Sequence, residues 1–233
     1  MFTKEFACAH RKGASEEEGA RMIEDFKDVF KNPPAIETDR LLFRPMQIRD
    51  AEDMFEYSSK QTVTRYLLWS PHESVEYTRR YLAFVKKQYS QGLFYDWAVV
   101  VKDTGKLIGT GGFTTIDGRH QSAEIGYVLN DDYWGKGYGS EIARELLCFG
   151  FNYLGVNRIQ ARYMVGNEAS RRVMEKNGMQ FEGVARNLMY VKGSFRDIGC
   201  CAILKEDYFE KYGKKEYRLD YFKADTHWYD RLW

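Results

Sequence analysis

Cysteine, histidine and proline are scarce in this chain, with four of each among 233 residues. Cys8, Cys148, Cys200 and Cys201 form no C-x-x-C pair and the histidines are scattered, so no metal centre is expected. Cys200 and Cys201 are adjacent and would point to opposite faces of a strand. Free thiols of this kind fit a reducing cytoplasm rather than a disulfide scaffold. No run approaches the roughly 18 apolar residues that a membrane span needs, so no membrane partner is expected. The first ten residues lack the apolar core of a secretory signal. Charge of one sign is also lacking: 35 Lys and Arg stand against 34 Asp and Glu, a net +1. A nucleic-acid binder needs a basic excess to neutralise phosphates, so that class is disfavoured.

Aromatics, by contrast, are abundant, with 17 Tyr, 15 Phe and 5 Trp in a chain that is 44% hydrophobic. The chain reads in three parts. Residues 1–35 look like an appendage. Ser15 and the acidic Glu16–Glu18 can start a helix whose Met22, Phe26 and Phe30 share one face, and Pro33 and Pro34 stop it. Such a helix packs on the body or on a second subunit of a homodimer, or serves as a lid or partner-binding arm. Residues 36–205 alternate short strands with helices. Residues 206–233 are charged and aromatic, ending in Leu232-Trp233, and are expected to pack against something.

Within the middle part, Leu41–Pro45 reads as a strand, and Asp50 as the cap of a helix over Ala51–Ser58. Ser74 opens a longer helix with Val75, Leu82, Val85 and Tyr89 on one face. Trp97–Lys102, Leu107–Phe113 and Ala123–Leu129 read as strands joined by turns at Thr104-Gly105 and Asp117-Gly118. Ser140–Leu154 is helical, Arg158–Val165 a strand, and a helix from Asn167 or Ser170 ends at Gly178. Phe181–Val191 and Arg196–Leu204 form a hairpin.

The sharpest chemical signal lies in Tyr133-Trp134-Gly135-Lys136-Gly137-Tyr138-Gly139-Ser140, between a strand and a helix. Three alternate glycines expose backbone N–H groups, and the helix start adds free donors and a positive dipole end. This can cradle phosphate, although the spacing fits neither a dinucleotide fingerprint nor a Walker A loop. A Gly-rich connecting turn is the plain alternative.

The run Glu124-Ile125-Gly126-Tyr127-Val128-Leu129 followed by Trp134-Gly135-Lys136-Gly137-Tyr138-Gly139-Ser140-Glu141 resembles the acyl-CoA-binding core of the GCN5-related N-acetyltransferases. Asn167 to Met179 resembles the second signature of the branch related to the ribosomal-protein acetyltransferases RimJ and RimL, and Glu37 to Pro45 its first strand. The resemblance implies an α/β (α+β) fold, a mixed twisted central sheet splayed near the middle with helices on both faces. It implies acetyl-CoA as co-substrate. The pyrophosphate would sit on the amides of Gly135, Lys136, Gly137, Tyr138, Gly139 and Ser140, and the pantetheine arm would pair with Tyr127, Val128 and Leu129. Asn167 would contact that arm, unless it is only a helix cap, and Arg172 (or its neighbour Arg171) would reach the 3′-phosphate. Glu124 stands where relatives place a base acting through water; a salt-bridged strand carboxylate is the alternative. The N–H of Leu129 or Val128 would polarise the thioester carbonyl.

Many relatives carry a Tyr seven residues after the Asn. Here that position is Met174, which donates no proton, and Ser170, one turn earlier, is the candidate donor to the sulfur. Tyr66, Trp69, Tyr95 and Trp97 either line an acceptor cleft or fill the core. The acceptor pocket is expected from residues 51–90 and the hairpin tip around Gly193. The reading is a cytoplasmic N-acetyltransferase that moves an acetyl group from acetyl-CoA to a primary amine, a peptide N-terminus or a small molecule. Its rivals are a non-catalytic acyl-CoA-binding module and a phosphate or nucleotide binder.

Overall fold

Short β-branched runs separated by amphipathic helices assemble into one sheet clothed on both faces. The computed structural model describes residues 26–214. The readings at Cys8, Ser15–Glu18 and Met22, and the aromatic tail from 215 on, lie outside the described residues.

The eight strands are β1 (Ile36–Glu37), β2 (Leu41–Arg44), β3 (Asp96–Val101), β4 (Leu107–Asp117), β5 (Ser122–Leu129), β6 (Arg158–Met164), β7 (Gln180–Val191) and β8 (Ser194–Leu204). Their spatial order is β1-β2-β3-β4-β5-β6-β8-β7. All neighbours run antiparallel except β5 and β6, which are parallel. That parallel ladder joins only Ser122 to Arg158, Ala123 to Ile159 and Glu124 to Gln160. Past Glu124 the two strands separate, leaving the second half of β5 without a neighbour on that side: the expected splay.

The helices are α1 (residues 26–31), α2 (Ala51–Ser58), α3 (Gln61–Thr64), α4 (Val75–Ser90), α5 (Tyr138–Phe149), α6 (Glu168–Lys176) and α7 (Lys205–Tyr212). A wider turn, Gly150–Leu154, continues α5. One face of the sheet packs α2 and α4 through Met54, Tyr57, Leu82, Val85 and Tyr89 against Leu42, Ala98, Val100 and Leu107. The other buries Ile142, Leu146 and Phe149 of α5, with Phe30 of α1 and Tyr208 of α7, against Trp97, Ile125, Ile159 and Cys201. Each such side chain contributes roughly 1.5–3 kcal/mol of transfer free energy. Side chains from both sides of the boundaries read at residues 35 and 205 thus share one core.

Two local details depart from the sequence reading. Asp50 precedes α2 without capping it by its side chain. It is instead buried against Arg44, with bonds of 2.7 and 2.8 Å, and accepts the Gln47 N–H at 2.7 Å. A buried carboxylate needs such a full set of partners. Strand β4 runs four residues beyond Phe113 because its hairpin with β5 continues past the sheet's covered area, where Thr114 and Thr115 are exposed.

Asp96, at the start of β3, lies among Tyr57 of α2 and Tyr81 and Tyr89 of α4, and its carboxylate crosses Gly112, where any side chain would collide with it. Burial pushes this carboxyl up to about 7. Between an unfolded value of about 4 and that folded value, the native state holds a proton the unfolded chain has released. Stability therefore falls as pH rises through this window. Asp96→Asn, which carries no charge to bury, should raise the melting temperature at pH 8 by a few degrees, for about 1–2 kcal/mol. At pH 4 it should gain nothing. Calorimetric melting at the two pH values checks this, and an equal shift at both would contradict it.

Candidate active site

Where β5 leaves β6, the chain has backbone groups to offer. Asn130 donates its N–H to Ile108 on the β4 side at 2.8 Å, while the carbonyl of Leu129 accepts the Trp134 indole at 2.9 Å on the other. Backbone direction alternates along a strand. Leu129 and Tyr127 therefore turn their amides to the open gap, and Val128 turns its own toward β4 while its side chain lines the cavity beyond.

That cavity has a volume of about 1230 Å³. Its wall runs from Tyr127–Leu129 across Gly135, Gly137, Tyr138, Gly139 and Ser140 to Asn167, Ser170 and Arg172 of α6. All of these were candidate site residues, Ser170 as the proton donor and the others for binding. The opposite wall is α3 with the following residues to Leu67, and Lys192 at the β7–β8 tip.

The glycine loop turns because Gly137 takes φ +83°, a left-handed conformation costly for a residue with a Cβ. Gly137 is also the residue before α5, and it provides no side-chain cap. The first-turn N–H groups of α5 thus remain available to an anion, at the positive end of a twelve-residue helix. The loop is braced from outside. Arg40 donates to the Lys136 carbonyl at 3.0 Å and pairs with Glu141 at 2.6 Å, and Thr38 donates to the same carboxylate at 2.6 Å. This Thr38–Glu141–Arg40 brace was not anticipated, because it joins residues about a hundred positions apart. Lys136 is not on the cavity wall; its ammonium bonds the Asp132 carbonyl at 2.8 Å.

On α6, the Asn167 side-chain oxygen accepts the Ser170 N–H at 3.3 Å, the ordinary cap. Its amide nitrogen has no partner among the described residues and stays available to a ligand. Arg172 and Lys176 reach the cavity, whereas Arg171 pairs with Glu175 at 2.8 Å and stacks on Phe181. Met174 is buried in the main core and does not line the cavity.

Glu124 lies apart from these residues. It is buried, absent from the cavity wall and fully engaged: Arg162 at 2.7 Å, Gln160 at 2.8 Å and Thr114 at 3.1 Å. Two of these partners lie on β6, directly where the strands part. Glu124 ties the base of the splay through these partners. Among the aromatics, Tyr66 lines the cavity, Trp97 is core with its indole donating to the Pro34 carbonyl at 2.8 Å, Tyr95 packs on Phe30, and Trp69 stacks near His72.

A strand edge with unpaired amides thus opens onto a glycine-rich turn and the uncapped start of α5. The comparisons give the family. The sequence profile of the acetyltransferase (GNAT) domain matches residues 40–180. The uncharacterized N-acetyltransferase YoaA of Bacillus subtilis (strain 168) is 37% identical over 172 residues, 74% of this chain and 97% of that protein. The ribosomal protein uS5 alanine N-acetyltransferase of Escherichia coli (strain K12) is 26% identical, over 73% of this chain and 91% of its own length. The crystal structure of a GNAT-family acetyltransferase from Bacillus anthracis superimposes with a TM-score of 0.66 at 34% identity, covering 74% of this chain and 99% of that one. The chain belongs to the GNAT acetyltransferase family. It is an acetyltransferase that uses acetyl-CoA as co-substrate and an amine as acceptor. No helix among the described residues is long and apolar enough to cross a membrane.

Proposed function

We propose that the protein acetylates a primary amine, on a peptide N-terminus or a small molecule, by direct attack within a ternary complex. The observation that carries this is that donor cradle and acceptor wall bound one continuous cavity. No described cysteine lines it, which favours direct attack over an acyl-cysteine route: Cys148 and Cys201 are buried elsewhere, and Cys200 sits beside Glu182.

In this reading the pyrophosphate rests on the N–H groups of residues 137–140, Arg172 and Lys176 take the 3′-phosphate, and the arm pairs with Tyr127 and Leu129. The Leu129 N–H faces the thioester carbonyl and holds the oxyanion as it forms. The amine enters between α3 and the β7–β8 tip, as the free base.

Calorimetry with acetyl-CoA should give a Kd at micromolar level or tighter, with ATP far weaker. A transfer screen across peptides and small amines should then find an acceptor. Glu124→Gln should keep the rate within about tenfold of wild type, with the acidic limb of the pH profile unmoved. No acetyl-CoA binding would overturn the reading, and binding without transfer to any amine would favour an acyl-CoA-binding module. A collapse of the Glu124→Gln rate with loss of that limb would restore the base role to Glu124.

A further inference from the structure

With Met174 in the core, the leaving sulfur lacks the usual phenol on α6, yet the cavity holds another. Tyr127 lies on β5, not on α6, and its ring crosses the gap to the first turn of α6. Its hydroxyl is 3.2 Å from the Ser170 Oγ and 3.4 Å from the Ser170 carbonyl oxygen. Both residues line the cavity.

We propose that Tyr127 is the positioning residue for the leaving group: it donates its hydroxyl proton to the Ser170 Oγ, so that the Ser170 hydroxyl presents its own proton to the departing sulfur. This rests on the active-site reading above and deepens it.

Either hydroxyl can donate across the 3.2 Å contact, and the Tyr127 hydroxyl also reaches the Ser170 carbonyl at 3.4 Å. In the arrangement proposed, Tyr127 donates across the shorter contact, which leaves the Ser170 proton for the sulfur. A helical serine commonly spends that proton on the carbonyl four residues back; no such bond to Gly166 is formed. Burial pushes the Tyr127 phenol up to about 12, so it remains a donor throughout the working range of pH. Asn167 fixes the other side of the serine through its backbone N–H at 3.3 Å. The strand thus supplies what the helix has lost.

The step balances without consuming either hydroxyl. The amine lone pair forms the C–N bond and the carbonyl electrons move to oxygen. On collapse the C–S bond breaks and its pair goes to sulfur, where the Ser170 O–H hydrogen bond spreads the new charge. The proton lost by the attacking nitrogen goes to water, and water returns one to the thiolate before CoA leaves.

The test is the thiol of bound CoA, titrated by thiolate absorbance with the desulfo-CoA complex as blank. A hydrogen bond to sulfur lowers its midpoint. Tyr127→Phe should raise that midpoint by about one unit and cut kcat about tenfold, the scale of one hydrogen bond to a charge. KM for acetyl-CoA should stay within twofold. Ser170→Ala should do the same, the double variant should cost little more than either single, and Ser170→Thr, which keeps the hydroxyl, should restore most of both. If Tyr127→Phe fails to fold, the Ser170 pair of variants decides. CoA bound with an unmoved thiol titration would overturn this inference alone. Wild-type protein that binds no CoA would overturn the active-site reading beneath it.

Discussion

Replacing Gly139 with aspartate is expected to raise the Kd for acetyl-CoA about 100-fold while leaving the melting temperature unchanged or slightly higher. Gly139 lies in the first turn of α5 and is not among the glycines held at positive φ. A Cβ there would meet only the Val173 Cγ2, at an ordinary 3.5 Å. A carboxylate in the first turn of a helix is, if anything, favourable to folding. The same carboxylate would sit within a few ångströms of the pyrophosphate. At an effective dielectric near 20, two like charges at 4–6 Å repel by about 3–4 kcal/mol, and partial solvation brings that near the 2.7 kcal/mol of a 100-fold change. Gly139→Ala, lacking the charge, should bind within a few-fold of wild type. Calorimetric titration and a melting curve on the same samples check both halves. An unchanged Kd in the aspartate variant would show that the anion does not rest on this helix end.

The glycine turn and the start of α5 were legible in the sequence because they are local: glycines, strand end and helix start are neighbours in sequence, and their conformation follows from residue type. The same holds for Ser74, which caps α4 by accepting the Tyr77 N–H at 3.1 Å, and for Asn167 before α6. Legibility fails where a side chain's role is set by a distant partner. The ion-paired setting of Glu124 is hidden in the sequence because nothing there reveals Arg162 and Gln160 arriving from β6. Asp50 reads as a cap because the Arg44 guanidinium beside it is invisible until β2 and α2 are packed. Tyr127 reads as a strand residue whose backbone would pair with the pantetheine arm, and its hydroxyl finds Ser170 only once α6 docks. Trp97 fits a cleft as well as a core on composition alone, and only the sheet face it occupies decides.

The same limit applies to residues 26–31, and the stability of a Phe30→Ala variant measures it. Phe30 is fully buried at the centre of an aromatic cluster. Its ring meets Tyr95 at 4.8 Å, Trp97 at 5.3 Å, and Phe113 and Phe149 at 6.4 Å, all edge-on. Truncation removes a buried ring and leaves a cavity that β3, β4 and α5 are too stiff to fill, at an expected cost of about 3–5 kcal/mol. For a domain of this size that corresponds to a fall in melting temperature of about 10 °C. Acetyl-CoA affinity, measured well below the transition, should stay within a few-fold, because none of the cluster residues lines the cavity. A cost below about 1 kcal/mol would mean that α1 is a dispensable appendage and that Trp97 and Phe149 close the core without it.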